Sequence, residues 1–200
     1  MRRSVYNGEK TSPWPRSARS RGDGGLSMIR ISKENYYLDI AQTVSERATC
    51  LRRVYGAIIV SNDEIISTGY NGAPRGRVNC TDLGYCSREA MRVPRGQRYE
   101  LCRSVHAEAN ALLSAARRDM VGATLYLVGR DAQTGELLAD ATSCSMCRRL
   151  VINAGISRVV LRRTATEFES VDVRDWVAED DLAAPAEECS CGEECPCRRD

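Results

Sequence analysis

The sequence predicts an α/β fold, a central mixed sheet covered by helices. Three observations point there. Short runs rich in Ile, Val and Leu alternate with segments of helical periodicity. The runs "YGAIIVS" and "EIISTGY" flank Asn62-Asp63, as two strands of a hairpin do. The later runs "ATLYLVG" and "SRVVLRR" are separated by a helical pattern, the arrangement of a crossover unit.

Each element follows in order. From Lys33 to about Ala48 the apolar residues Tyr37, Ile40, Ala41, Val44 and Ala48 fall at helical spacing, with Ser32 as N-cap. The hairpin comes next. The stretch from Asn71 to Cys102, "NGAPRGRVNCTDLGYCSREAMRVPRGQRYELC", is rich in Gly, Pro and Arg and reads as a long loop. A loop of that length inside a domain is usually functional or locally stapled. A helix is predicted from about Val105 to Arg118, then the strand "ATLYLVG". "RDAQTGELLAD" reads as a hairpin excursion turning at Thr134-Gly135. A helix over Cys144 to Ala154 ends at Gly155, a natural C′ residue. "SRVVLRR" is a further strand, and "VDVRDWVAEDDLA" a last short helix anchored by Trp176.

The 200 residues suit one domain with extra segments, enough to bury a core without disulfides. Residues 1–27 are rich in Arg, Ser, Pro and Gly with no hydrophobic period, and read as a disordered basic arm. Met28 stands at its end, a second candidate start. The domain is expected over residues 28–184, and residues 185–200 form an acidic, Cys-rich tail. A net charge of +2 does not suggest a nucleic-acid binder. No apolar run reaches the roughly 18 residues of a membrane span. The N-terminus lacks the apolar core of a secretory signal. A cytoplasmic protein is therefore expected.

The ten cysteines fall into three groups. Cys50, Cys80, Cys86 and Cys102 precede His106, the single histidine. Cys144 and Cys147 form a C-x-x-C. Cys189, Cys191, Cys195 and Cys197 crowd the C-terminus, where disorder is the simpler reading. Without an export signal, such spacing favours metal or redox chemistry over structural disulfides.

One imidazole and two thiolates are a good zinc set that leaves a fourth position for water. His106, Cys144 and Cys147 supply it, each near the start of a predicted helix, where the dipole favours thiolates. A zinc ion there lowers the pKa of its water toward roughly 7. Glu108, two residues after His106, points away from it along the helix. It is placed to move protons rather than to bind metal. A lone histidine is more often a core or surface residue, and a lone C-x-x-C is often redox-active or structural. The combination H-A-E, strand, C-x-x-C at a helix start is much more specific.

That combination, H-x-E followed by C-x-x-C, marks zinc nucleobase deaminases. With "GYNGAPRG" (Gly69 to Gly76), "HAEANAL" (His106 to Leu112) and "CSMCRRLVINAGI" (Cys144 to Ile156), the chain resembles the deoxycytidylate (dCMP) deaminase family of the zinc cytidine-deaminase-like superfamily. The match runs from about Met28 to Arg163. Two departures stand out. Ser143 replaces the proline usual before the first zinc cysteine, and "RDAQTGELLAD" is longer than in the simplest members.

The resemblance implies a three-layer α-β-α sandwich and hydrolysis of dCMP to dUMP and ammonia, feeding thymidylate synthesis. Glu108 would protonate N3 and then the leaving amine. Asn71 is the candidate for the sugar or base edge. Arg75 is the candidate for the 5′-phosphate, set against a solvated loop arginine. Cys50, Cys80, Cys86 and Cys102 are expected to hold a second, structural zinc, as in some bacterial and phage members; the alternative is unrelated buried thiols. Homo-oligomers, hexamers among them, and regulation by dCTP and dTTP also occur in the family, while other members are unregulated. Two other functions compete. One is deamination of another nucleotide, nucleoside or polynucleotide base. The other is a zinc-stabilised binding module, against which Glu108 argues, since a structural site has no use for an adjacent unliganded carboxylate.

Overall fold

The computed structural model describes residues 30–94 and 97–179. The basic arm, the tail cysteines and the end of the expected domain lie outside the described residues.

Helix α1 (Lys33–Ser45) starts where the sequence places it, with the Ser32 side chain accepting from the Asn35 N–H at 3.3 Å. Strands β1 (Arg53–Ser61) and β2 (Glu64–Tyr70) form the expected hairpin. Asn62 and Asp63 both take left-handed backbone angles (φ 51° and 66°), as a two-residue turn matched to strand twist requires. The long loop is partly ordered by two single-turn helices, α2 (Cys80–Leu83) and α3 (Ser87–Ala90), and a 3₁₀ turn at Tyr99–Leu101. None of the three is long enough to leave an apolar period in the sequence.

The helix expected over Val105 to Arg118 is two pieces, α4 (Ala107–Leu113) and α5 (Arg117–Met120). Ser114 donates back to the Asn110 carbonyl at 2.7 Å, a bond that competes with helix continuation, and Ala116 is extended. Strand β3 (Thr124–Asp131), helix α6 (Ser145–Ala154) capped by left-handed Gly155, and strand β4 (Arg158–Arg162) follow as expected. Strand β5 (Phe168–Asp172) is an addition to the prediction. It is a sheet edge whose first three residues are exposed, so it carries no apolar alternation. Helix α7 (Val173–Glu179) then buries Trp176.

The five strands lie in the order β2-β1-β3-β4-β5. Only β3 and β4 are parallel, joined by the α6 crossover, so the sheet is mixed. Alternating side chains supply two cores. Ile58, Val60, Tyr126, Val128 and Val160 pack under Tyr37, Leu38 and Ala41 of α1. Ala57, Ile59, Leu125, Leu127, Val159 and Leu161 face the opposite way, against α4, α6 and α7. The result is the three-layer α-β-α sandwich expected. No helix among the described residues is long and apolar enough to cross a membrane.

Candidate metal centre and active site

Two helix starts meet on the α4/α6 side of the sheet. His106 is the N-cap of α4, with extended backbone (φ −70°, ψ 156°), and Glu108 lies in the first turn. Cys144 is the N-cap of α6 (φ −69°, ψ 163°), and Cys147 is buried within that first turn. N-cap and N3 side chains stand side by side at a helix start, which is why a C-x-x-C at this point converges.

The start of α4 is fixed by the Gly-rich stretch. Gly72 and Val105 exchange backbone hydrogen bonds of 3.2 and 2.8 Å, pinning the residue just before His106. The Asn110 amide donates to the Tyr70 carbonyl at 2.7 Å. Asn71 accepts from the Tyr55 N–H at 2.7 Å and donates to the Arg53 carbonyl at 2.9 Å. The asparagines of "GYNG" and "HAEANAL" therefore tie β1, β2 and α4 into one frame. Asn110 carries no metal-ligand or acid–base signature in the sequence. Its signal is position, one turn after His106 on the same helix.

The Sγ atoms of Cys144 and Cys147 lie 3.4 and 3.5 Å from His106 Nδ1. All three ligand atoms fall within 4.8 Å of one another. Zinc–sulfur distances of about 2.3 Å and zinc–nitrogen distances of about 2.0–2.1 Å, set tetrahedrally, separate N and S by roughly 3.5 Å. The donor set and its spacing fit zinc. The Cys144 thiol is pushed down to about 4, first by its hydrogen bond with Cys147 and next by His106. The Cys147 thiol is pushed up by Cys144 and by burial. His106 is raised, mainly by Cys144.

Glu108 is 4 % exposed. Burial holds its carboxyl above the ordinary carboxylate range, partly opposed by His106. It lines a cavity of about 280 Å³ together with His106, Cys144, Asn71, Tyr55 and Arg88. The Tyr99 and His106 rings meet at right angles with centroids 5.1 Å apart. Ser143, in place of the family proline, is buried, and its carbonyl accepts from Arg148 Nε at 3.2 Å. Arg148 in turn lies 5.0 Å over Trp176 and 3.4 Å from Glu179. Arg75 sits on an exposed turn and does not line the cavity.

Cys50, Cys86 and Cys102 line the same cavity, and Cys80 is buried behind it. All four are free thiols. Burial raises the Cys80 thiol, and Cys50, Cys102 and Cys86 raise it further, so the four share one neighbourhood. Among the described residues, however, the His106 group is the one set of three or more such side chains drawn close enough to hold an ion.

Residues 31–163 match the family model for the cytidine and deoxycytidylate deaminase zinc-binding region. The chain belongs to this family. It is 37% identical over 138 residues to the deoxycytidylate deaminase of Mycobacterium phage D29, an alignment covering 66% of this chain and 96% of the phage protein. It is 34% identical over 132 residues to the deoxycytidylate deaminase of Schizosaccharomyces pombe, covering 66% of this chain but only 37% of the yeast protein. Among solved structures, the apo dCMP deaminase of cyanophage S-TIM5 is similar, with 26% identity and a TM-score of 0.45, covering 64% of this chain and 81% of that one.

Proposed function

We propose that this chain hydrolyses dCMP to dUMP and ammonia, supplying dUMP for thymidylate synthesis. The observation that carries the reading is Glu108, a buried carboxyl with a raised pKa in a cavity beside three converging zinc-type ligand atoms. The deoxycytidylate deaminases among its relatives support the substrate.

His106, Cys144 and Cys147 would hold the ion, and zinc bound there supplies Lewis acidity that activates water at neutral pH. Glu108 does the proton work. It takes one proton from water as oxygen adds to C4 and passes it to N3, then takes the second from the C4 hydroxyl and delivers it to the amine, so that the C4–N bond breaks as the C4 carbonyl forms and ammonia leaves. A raised carboxyl suits both directions, since a proton carrier works best with a pKa near the working pH. Asn71 holds the cavity wall through the backbone of Arg53 and Tyr55, and is proposed to turn its remaining hydrogen-bonding capacity to the sugar or base edge.

We also propose that Cys50, Cys80, Cys86 and Cys102 hold a second, structural zinc. Their shared neighbourhood supports it, as does the shortage of large apolar side chains across the long loop, whose ordering then needs a metal. In a chain ending near Ala184, which lacks the tail cysteines, two zinc ions are expected, falling to one in Cys80→Ser with a lower melting temperature; one zinc in both proteins defeats the assignment. The family resemblance further supports a cytoplasmic homo-oligomer, hexameric in many members; some members respond to dCTP and dTTP and others are unregulated, and a dCMP titration with each triphosphate decides which kind this chain is.

The test is ammonia release from dCMP, deoxycytidine, cytosine and adenosine, with and without chelator. Turnover of dCMP that chelator abolishes is expected. A zinc-loaded protein that releases ammonia from another base and none from dCMP overturns the reading.

A further inference from the structure

The cavity contains a positive charge that proton transfer does not use. Arg88 on α3 lines it and is 6% exposed. Its Nη2 donates to the Pro94 carbonyl at 3.1 Å and to the Gln97 carbonyl. Its guanidinium carbon lies 4.7 Å over the Tyr99 ring, the same ring that packs at right angles to His106. Its Nε–H is buried and has no hydrogen-bond partner among the described residues. Two carbonyls and a phenol ring are neutral company. Glu108 and Asp140 line the same cavity, and Glu100 feels the Arg88 charge, but none of them forms an ion pair with Arg88 among the described residues. Glu89 pairs with Arg52 at 2.8 Å, and the exposed Glu100 pairs with Arg98 at 3.1 Å.

Buried charges in proteins are normally paired, because an unpaired one carries its full desolvation cost. Arg88 is a buried cation on the wall of a ligand cavity, and among the described residues no carboxylate forms an ion pair with it. We propose that Arg88 receives the 5′-phosphate of the substrate and sets the preference for nucleotide over nucleoside. This rests on the deoxycytidylate reading above. Arg52 is a weaker candidate because Glu89 already neutralises it. Arg53 lines the same cavity and adds positive charge there. The Tyr99 face and the two carbonyls, which take both Nη2 hydrogens, hold the guanidinium in one plane, leaving its charge and its Nη1 hydrogens to meet a phosphate.

The experiment measures kcat/KM for dCMP and deoxycytidine in the full-length zinc-loaded chain and in Arg88→Met, Arg88→Lys and Arg75→Met. Inorganic phosphate serves as an inhibitor against dCMP. Arg88→Met should lose on the order of 10–100-fold in kcat/KM for dCMP, mostly through KM, and leave deoxycytidine turnover as it was. Arg88→Lys should recover part of that loss and bind inorganic phosphate more weakly than wild type. If Arg88→Met does not fold, Arg88→Lys decides through its phosphate inhibition constant. An equal loss for both substrates assigns Arg88 to structure and overturns the proposal. So does loss of the dCMP preference in Arg75→Met with Arg88→Met unaffected. Wild-type protein that turns over deoxycytidine and not dCMP defeats the deoxycytidylate reading itself; a wild-type preference for dCMP that survives in Arg88→Met defeats the Arg88 assignment alone.

Discussion

Gly69→Ala should damage the metal centre without touching any of its ligands. Gly69 lies in β2 against α4. A Cβ there would stand 2.9 Å from the Asn110 carbonyl carbon and closer still to the Ala107 carbonyl oxygen and the Ala111 nitrogen. All three are backbone atoms, so no rotamer change relieves the overlap. Ordinary contact begins at 3.4 Å, so α4 must retreat by on the order of 1 Å. His106 caps that helix and Glu108 sits in its first turn. Overpacking of this kind costs about 1–3 kcal/mol of stability, and a misplacement of about 1 Å costs on the order of 10²-fold in rate. The assay is threefold: urea midpoint, zinc per chain after dialysis, and initial rate of ammonia release. Gly56→Ala is the comparison. Its Cβ would meet the backbone of Ala41 and Ser45 in α1, on the other face of the sheet. It should lose stability while keeping zinc and rate closer to wild type. A Gly69→Ala protein with wild-type zinc content and turnover would refute the reasoning.

Glu108→Gln should keep its zinc and lose about 10²–10⁴-fold in kcat, as expected for a proton carrier that is not a ligand; near wild-type turnover would remove Glu108 from the chemistry. Cys147→Ala should lose both catalytic zinc and activity, measured by metal analysis and ammonia release, and added zinc should not restore it. Asp172 offers a pH test remote from the site. Its carboxylate accepts from the Arg174 N–H at 2.9 Å at the start of α7, and its pKa is held down to about 2 from 3.8, first by the Arg174 side chain. A depressed carboxylate contributes stability above its unfolded pKa and loses it as pH falls through the folded one. The urea midpoint of Asp172→Ala should therefore lie below wild type by a constant margin at neutral pH, with the gap closing between about pH 4 and pH 2. A gap that widens over that window contradicts the assignment.

The parts of the fold legible in the sequence are those where one physical signal acts alone. The hairpin, β3, β4 and α6 each pair an apolar run with a turn or cap residue such as Asn62 or Gly155. The α1 start is read correctly because Ser32 caps it. What escaped is held by contacts distant in sequence. Strand β5 exists because β4 needs an edge partner, not because "FESVD" alternates. The single turns α2 and α3 are too short for a period. At the site, residue type and spacing pick out His106, Glu108, Cys144 and Cys147 because few other functions need that set. Arg88 and Tyr99 carry no such pattern. They belong to the cavity only because the long loop folds back over His106, and an arginine inside "CSREAM" looks like any other surface arginine. Arg75 shows the converse: a Gly-flanked arginine in a family motif, yet exposed and outside the cavity lining.

The missing proline before Cys144 shows how the frame tolerates change. A proline there would fix the backbone angle entering α6. Ser143 cannot, but its carbonyl is held by Arg148 from the first turn of the same helix. Arg148 is itself flanked by Trp176 and Glu179 of α7. The entry to the metal-binding turn is thus constrained by a packed tertiary contact instead of a local ring. That contact makes α7, a helix remote from the cavity, part of what holds Cys144 in place.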